Sequence, residues 1–172
     1  MNSVIPLLPI LTTLVFPYLA LRADRVLPPV ALGAARWLGL PLVLAGLLLA
    51  GASATRIYGR GQWPGAPTPL GVPRRLVTEG PYRRSRNPML LGVVLVVLGE
   101  ALLLQSPGVF LYLLLGWGAL HLFVVVIEEP RLARVFEERY RRYRAEVPRW
   151  LPRPRAGPPA RDRSERGRDR DA

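Results

Sequence analysis

RNPMLLGVVLVVLGEALLLQSPGVFLYLLLGWGALHLFVVVIEEP, from Arg86 to Pro130, contains two long apolar runs parted by Ser106, Pro107 and Gly108. Arginine bounds it on one side and a glutamate pair on the other. A bilayer core of about 30 Å is spanned by about 20 apolar residues rising 1.5 Å each. The runs 89–105 and 109–127 approach that length, and so reach most of the way across as helices. A turn as short as Ser-Pro-Gly allows only an antiparallel hairpin, which brings Arg86 and the glutamates to the same height at its open end. Arg83, Arg84 and Arg86 crowd this end, as charges placed for a partner do.

Two further apolar segments, 4–21 and 37–54, lie upstream. Half of the 172 residues are hydrophobic and gathered in blocks, with the charges between and after them. The expected fold class is therefore all-α: a polytopic membrane protein of about four transmembrane helices. The first segment is read as a retained helix, because no basic residue precedes it and it is too long for a signal-peptide core. The first two helices contain no ionisable residue and read as scaffold, bent at Pro6, Pro9, Pro17 and Pro41. Between them and the hairpin, residues 55–78 form a Gly- and Pro-rich interfacial loop with Tyr58 and Trp63 suited to headgroups. Past the hairpin, Leu132, Val135, Phe136, Tyr140 and Tyr143 recur at spacings of three and four. They predict an amphipathic helix over 129–146 that stops before Pro148. Residues 1–152 make one membrane domain, and 153–172, almost wholly Arg, Asp, Pro and Gly, a disordered basic tail.

Composition removes several chemistries. There is no cysteine and only one histidine, His121, so disulfides, thiolate nucleophiles and Cys- or His-based metal sites are not expected. All 24 basic residues are arginine, which excludes Schiff-base and P-loop chemistry. A net charge of +12 suggests nucleic acid, but its placement argues against that partner. Three arginines lie between the first two helices, seven between the second and third, and fourteen after the fourth, with none in the Ser106–Gly108 turn. Such asymmetry places both termini and the central loop in the cytoplasm of a bacterial inner-membrane protein.

No GxGxxG, GxxxxGK or GxSxG pattern occurs, so any cofactor must be held by helix ends and loops. The open end of the hairpin sets Arg86, Asn87 and Pro88 opposite Glu128 and Glu129, cations and anions across one cleft. A zwitterion such as S-adenosylmethionine matches such a cleft. From spacing alone a solvated interface matches it as well.

GPYRRSRNPMLLG (Gly80 to Gly92), followed about 36 residues later by EEPRLARVFEERYRRYRAEVPRWLP, resembles a family of integral-membrane methyltransferases. These are related to isoprenylcysteine carboxyl methyltransferase and phosphatidylethanolamine N-methyltransferase. The resemblance covers roughly residues 78–152. Arg86 and Pro88 match the first motif; Glu128, Glu129, Leu132, Phe136, Tyr140, Tyr143, Val147 and Pro148 match the second. Three positions depart: Asn87 stands where histidine is usual, Leu90 where tyrosine is usual, and Glu137 where glycine is usual. Asn87 keeps hydrogen bonding but cannot titrate.

The resemblance implies methyl transfer from S-adenosylmethionine to a lipid, or to a lipidated small molecule or peptide. Arg86, Asn87, Pro88, Glu128, Glu129 and Tyr140 are then expected to bind the cofactor, and Arg86, His121 and Glu129 to serve catalysis. His121 lies two helical turns before Glu128 on the same face, where a packing role is the plainer reading. Glu100, near the outer end of its run, lies far from that cleft. With the usual histidine absent, a carboxylate acceptor is favoured because it is already ionised at pH 7. A phospholipid amine, an NADPH-dependent membrane reductase of similar layout, and a non-catalytic membrane protein of the same fold remain as alternatives.

Overall fold

A computed structural model describes residues 11–58 and 75–151, and among them every regular element is helical. Residues 4–10 of the first expected helix, most of the interfacial loop including Trp63, and the tail 153–172 lie outside the described residues. The elements are α1 (Phe16–Ala20), α2 (Gly39–Tyr58), α3 (Pro88–Leu104), α4 (Pro107–Phe123) and α5 (Glu129–Glu146).

Prolines determine where these helices loosen. A π-helical turn, Leu11–Val15, precedes α1, and another, Val124–Glu128, joins α4 to α5. Each ends two residues before a proline, Pro17 or Pro130. Proline has no N–H to give the carbonyl four residues back, and its ring collides with that carbonyl; a widened turn relieves both. The helix therefore continues through the junction, from Pro107 to Glu146, and α5 stays attached to the hairpin. Within α5, Glu137 departs from helical geometry at φ +42°, ψ −118°, and kinks it. This left-handed φ is the conformation that glycine adopts at little cost, which accounts for glycine being usual there in the family resembled.

The expected second span, 37–54, is longer in the structure. It starts from a 3-10 turn, Gly33–Leu38, and runs on to Tyr58. Near its end Ser53 Oγ donates to the Leu49 carbonyl and Thr55 Oγ1 to the Ala52 carbonyl, so both hydroxyls are satisfied within the helix.

Helices α2 and α3 lie antiparallel against each other at glycine pairs. A Cβ added at Gly46 would lie 2.6 Å from the Gly92 oxygen, and one at Gly99 would lie 2.6 Å from the Gly39 oxygen. Gly39 and Gly46 are seven residues apart, as are Gly92 and Gly99, so two turns of each helix bring two bare patches together.

At the closed end of the hairpin, Gln105 adopts φ +50° and accepts from the Leu32 N–H through Oε1 at 2.8 Å. Ser106 caps α4 by accepting from the Val109 N–H. The Asp24 carboxylate accepts from Ser106 Oγ at 2.9 Å and from the Gly108 N–H at 2.7 Å, tying the first loop to this turn.

Among the described residues, Gly33–Ile57 and Pro107–Glu146 contain runs long and apolar enough to cross a membrane, and Pro88–Leu104 is a shorter apolar helix. Leu44, Leu48, Leu114 and Leu115 are each at least 60% exposed. Leucines turned outward on helices that long suit acyl chains and not water. This is a membrane protein.

Candidate functional site

Arg86 lies between a 3-10 turn, Gly80–Arg83, and the start of α3. Gly80 enters the turn at φ +60°, and Asn87 takes φ −127°, out of the helical region as the residue before a proline must be. Pro88 then opens α3 with the φ a first helical residue needs. The Tyr143 hydroxyl donates to the Tyr82 carbonyl at 2.8 Å and pins this turn to α5. Tyr140, Tyr143 and Val147 are buried together, with Leu76, Leu132, Ala133 and Phe136 against them.

After α5 the chain turns extended at Val147 and runs back over the start of α3 as a strap. The Arg86 N–H donates to the Pro148 carbonyl at 2.9 Å. Ser85 Oγ and Asn87 Nδ2 both donate to the Arg149 carbonyl at 3.2 Å. Two strap carbonyls thus take three donors from the SRN segment.

Beneath the strap lies a charged cluster. Arg86 Nη1 meets Glu129 Oε1 at 2.9 Å, with both side chains less than a tenth exposed. Arg149 takes the same carboxylate with two nitrogens, Nε to Oε1 at 2.6 Å and Nη2 to Oε2 at 3.0 Å. Arg86 Nη1 also donates to the Tyr140 hydroxyl at 3.1 Å. A carboxylate has about four acceptor positions; three are used, leaving one on Oε2. Arg86 Nε is buried and has no hydrogen-bond partner among the described residues. Among the described residues the cluster therefore leaves a buried donor, Arg86 Nε, and an acceptor position on Glu129 Oε2 unused.

Burial disfavours the charged form of Glu129, but the Arg149 hydrogen bond and the charges of Arg86, Arg149 and Arg144 outweigh it and hold the carboxyl below its ordinary value. The Glu129 hydrogen bond raises the Arg149 guanidinium in turn. Glu128 is pushed up, first by burial and then by the neighbouring Glu129 charge. Burial likewise raises Tyr140, which stays a neutral phenol.

Of the residues singled out from sequence, Arg86, Asn87, Glu129 and Tyr140 come together, with Pro88 buried beneath them. The cleft expected between the two motifs is closed, because Arg86 and Glu129 touch. Glu128 is half-buried and forms no ion pair with a described residue. Arg83 and Arg84 are exposed. His121 joins a different group: Trp150 Nε1 donates to its Nδ1 at 3.1 Å, and Trp117 lies 4.4 Å from Trp150, ring centre to ring centre. Its link to the cluster among the described residues runs through Trp150, the neighbour of Arg149. Ser85, Arg149 and Trp150 were not singled out. For Arg149 and Trp150 the signal was their place between Pro148 and Pro152, which prevent the helix from continuing and hint at a docked segment.

The profile of the phospholipid methyltransferase family matches residues 34–139, more than half of the chain. The chain belongs to the phospholipid methyltransferase family. The matched stretch of the family includes Arg86, Asn87, Pro88, His121, Glu128 and Glu129, and ends just before Tyr140 and the strap. No curated protein and no solved structure gives a match.

Proposed function

We propose that the chain is an S-adenosylmethionine-dependent methyltransferase acting on a lipophilic acceptor held in the bilayer. The observation that carries this reading is the Arg86–Glu129 pair, in which, among the described residues, Arg86 Nε has no hydrogen-bond partner and Glu129 Oε2 accepts only from Arg149. An amino-acid moiety presents a carboxylate and an ammonium close together and suits that pair. Arg86, Asn87, Pro88, Glu128, Glu129 and Tyr140 would hold the cofactor, which supplies a sulfonium methyl group to a nucleophile aligned with it. The protein contributes alignment, fixed charge and exclusion of water. Arg86 has both a buried guanidinium and a place in the first motif, and is assigned to binding and orientation.

For the acceptor we favour a carboxylate, on a lipid or on a lipidated small molecule or peptide. An indole N–H can only donate, so His121 Nδ1 is occupied as an acceptor and a neutral ring has its proton on Nε2. In this arrangement His121 has no free nitrogen with which to deprotonate an amine, and a carboxylate needs no deprotonation. The second reading, a phospholipid amine, is supported by the family's description and by Glu128, whose raised pKa suits it to accept a proton. Four spans, an inner-membrane location and cytoplasmic termini complete the proposal.

Full-length protein in lipid nanodiscs, given S-adenosylmethionine labelled in its methyl group, tests this. One arm contains a prenylated cysteine with a free carboxylate, the other phosphatidylethanolamine. Base-labile label in the first arm supports the carboxylate; label on headgroup nitrogen in the second supports the amine. Binding of NADPH in place of S-adenosylmethionine would overturn both in favour of a reductase, and binding of neither would leave a non-catalytic protein.

A further inference from the structure

Arg149 has two functions that use different atoms. Its carbonyl holds the strap, by accepting from Ser85 and Asn87 alongside the Arg86–Pro148 bond. Its guanidinium contributes none of those bonds and instead lies flat across Glu129, one nitrogen to each oxygen. We infer that Arg149 is a positioning residue for the cofactor site, acting through Glu129; the inference rests on the methyltransferase reading above and extends it to a residue beyond the stretch the family profile matches.

The geometry supports this in three ways. A planar fork on both oxygens fixes the rotation of the carboxylate about its own axis, which a single contact from Arg86 does not. With Arg86 it fills three of the four acceptor positions, so a further donor finds one place, on Oε2. Arg149 adds a positive charge to the otherwise neutral Arg86–Glu129 pair, near an Arg86 Nε that has no hydrogen-bond partner among the described residues, a setting for a ligand carboxylate. The side chain of Arg149 is about a quarter exposed, where those of Glu129 and Arg86 are buried. Replacing it removes none of the backbone carbonyls that hold the strap.

The experiment titrates S-adenosylmethionine into detergent-solubilised full-length protein: wild type, R149A, R149K, E129Q and the double variant R149A/E129Q, with melting temperatures recorded. Loss of a charge-assisted contact predicts that R149A binds about ten-fold or more weakly. R149K, which retains the charge but not the fork, restores only part of the affinity. In the double variant R149A adds less than about two-fold to the effect of E129Q, because the residue acts through that carboxylate. A purely structural clamp would add its full loss on top of E129Q, and that result overturns the inference. So does R149A binding within about two-fold of wild type. If R149A does not fold, R149K decides: wild-type affinity in R149K rules out the bidentate role. Failure of wild type itself to bind removes the methyltransferase reading and this inference together, whereas wild-type binding indifferent to Arg149 removes the inference alone.

Discussion

Removing the Arg86 guanidinium would leave Glu129 to Arg149 and take from Tyr140 its donor, while the backbone bond from Arg86 to Pro148 survives. Arg86→Ala and Glu129→Gln should each cost a charge-assisted contact of about 1.5 to 3 kcal/mol, or about ten-fold to over a hundred-fold in affinity for S-adenosylmethionine. Titration of the solubilised variants measures this, with Arg83→Ala and Arg84→Ala, both exposed, within about two-fold of wild type. Equal small losses at all four positions would reduce the arginines to a topological role. The same cluster sets a pH dependence. The Glu129 carboxyl is held below its ordinary value of 4.5 in the folded protein, so its ionisation contributes stability that is fully present above that value. That stability is lost as pH falls through the lower folded value. Melting temperatures should therefore hold from pH 7 down to about 5 and then fall, and Glu129→Gln should lose this part of the slope. Arg86 and Glu129 were visible in sequence because each sits at a helix end beside a proline, Pro88 or Pro130, that marks the join. Arg149 was not, because Pro148 and Pro152 hint at a docked segment but nothing local says that the Arg149 guanidinium reaches Glu129.

At the scale of elements, two features test whether local geometry is set by packing or by backbone. Gly46 and Gly92 let α2 and α3 approach until a methyl group no longer fits. Gly92→Leu should destabilise the helix pair by about 1 to 3 kcal/mol, read as an earlier unfolding midpoint in a detergent titration. Unchanged stability would mean that the helices can part without loss. Glu137 presents the reverse case. It adopts a φ of +42°, which costs a residue with a Cβ about 1 kcal/mol or more. Glu137→Gly should thus raise the melting temperature, and Glu137→Ala should not, since alanine has the same Cβ; a gain with alanine would point to the lost charge instead. The helix 129–146 was readable from its spacing of apolar residues, and its kink was not, since spacing records which face is buried and not how the backbone bends. The π turns before Pro17 and Pro130 show the same division. Each proline announces a missing hydrogen bond, and only the folded chain reveals that a widened turn and not a break results.

For the molecule as a whole, the membrane orientation is the expectation that remains most open to test. A reporter fused after Ala172 should read cytoplasmic, and one inserted in the Ser106–Gly108 turn external. The opposite pattern would put the arginine cluster on the wrong side for a cytoplasmic cofactor. The sequence by itself determined what composition and periodicity can determine: apolar helices in a membrane, a hairpin closed by a three-residue turn, arginine and glutamate at its open end, and a family resemblance across both motifs. Those are properties of segments, and the bilayer enforces them because an apolar run of that length has few other places to go. Tertiary structure decided the rest. It closed the expected cleft into a direct Arg86–Glu129 pair, moved His121 to Trp150, and brought Arg149 from beyond the last helix onto Glu129. These contacts depend on where the segment after Val147 lands, and the acceptors by which it is held at the start of α3, the Pro148 and Arg149 carbonyls, are backbone groups that every residue possesses, so its docking place cannot be read from its own residue types.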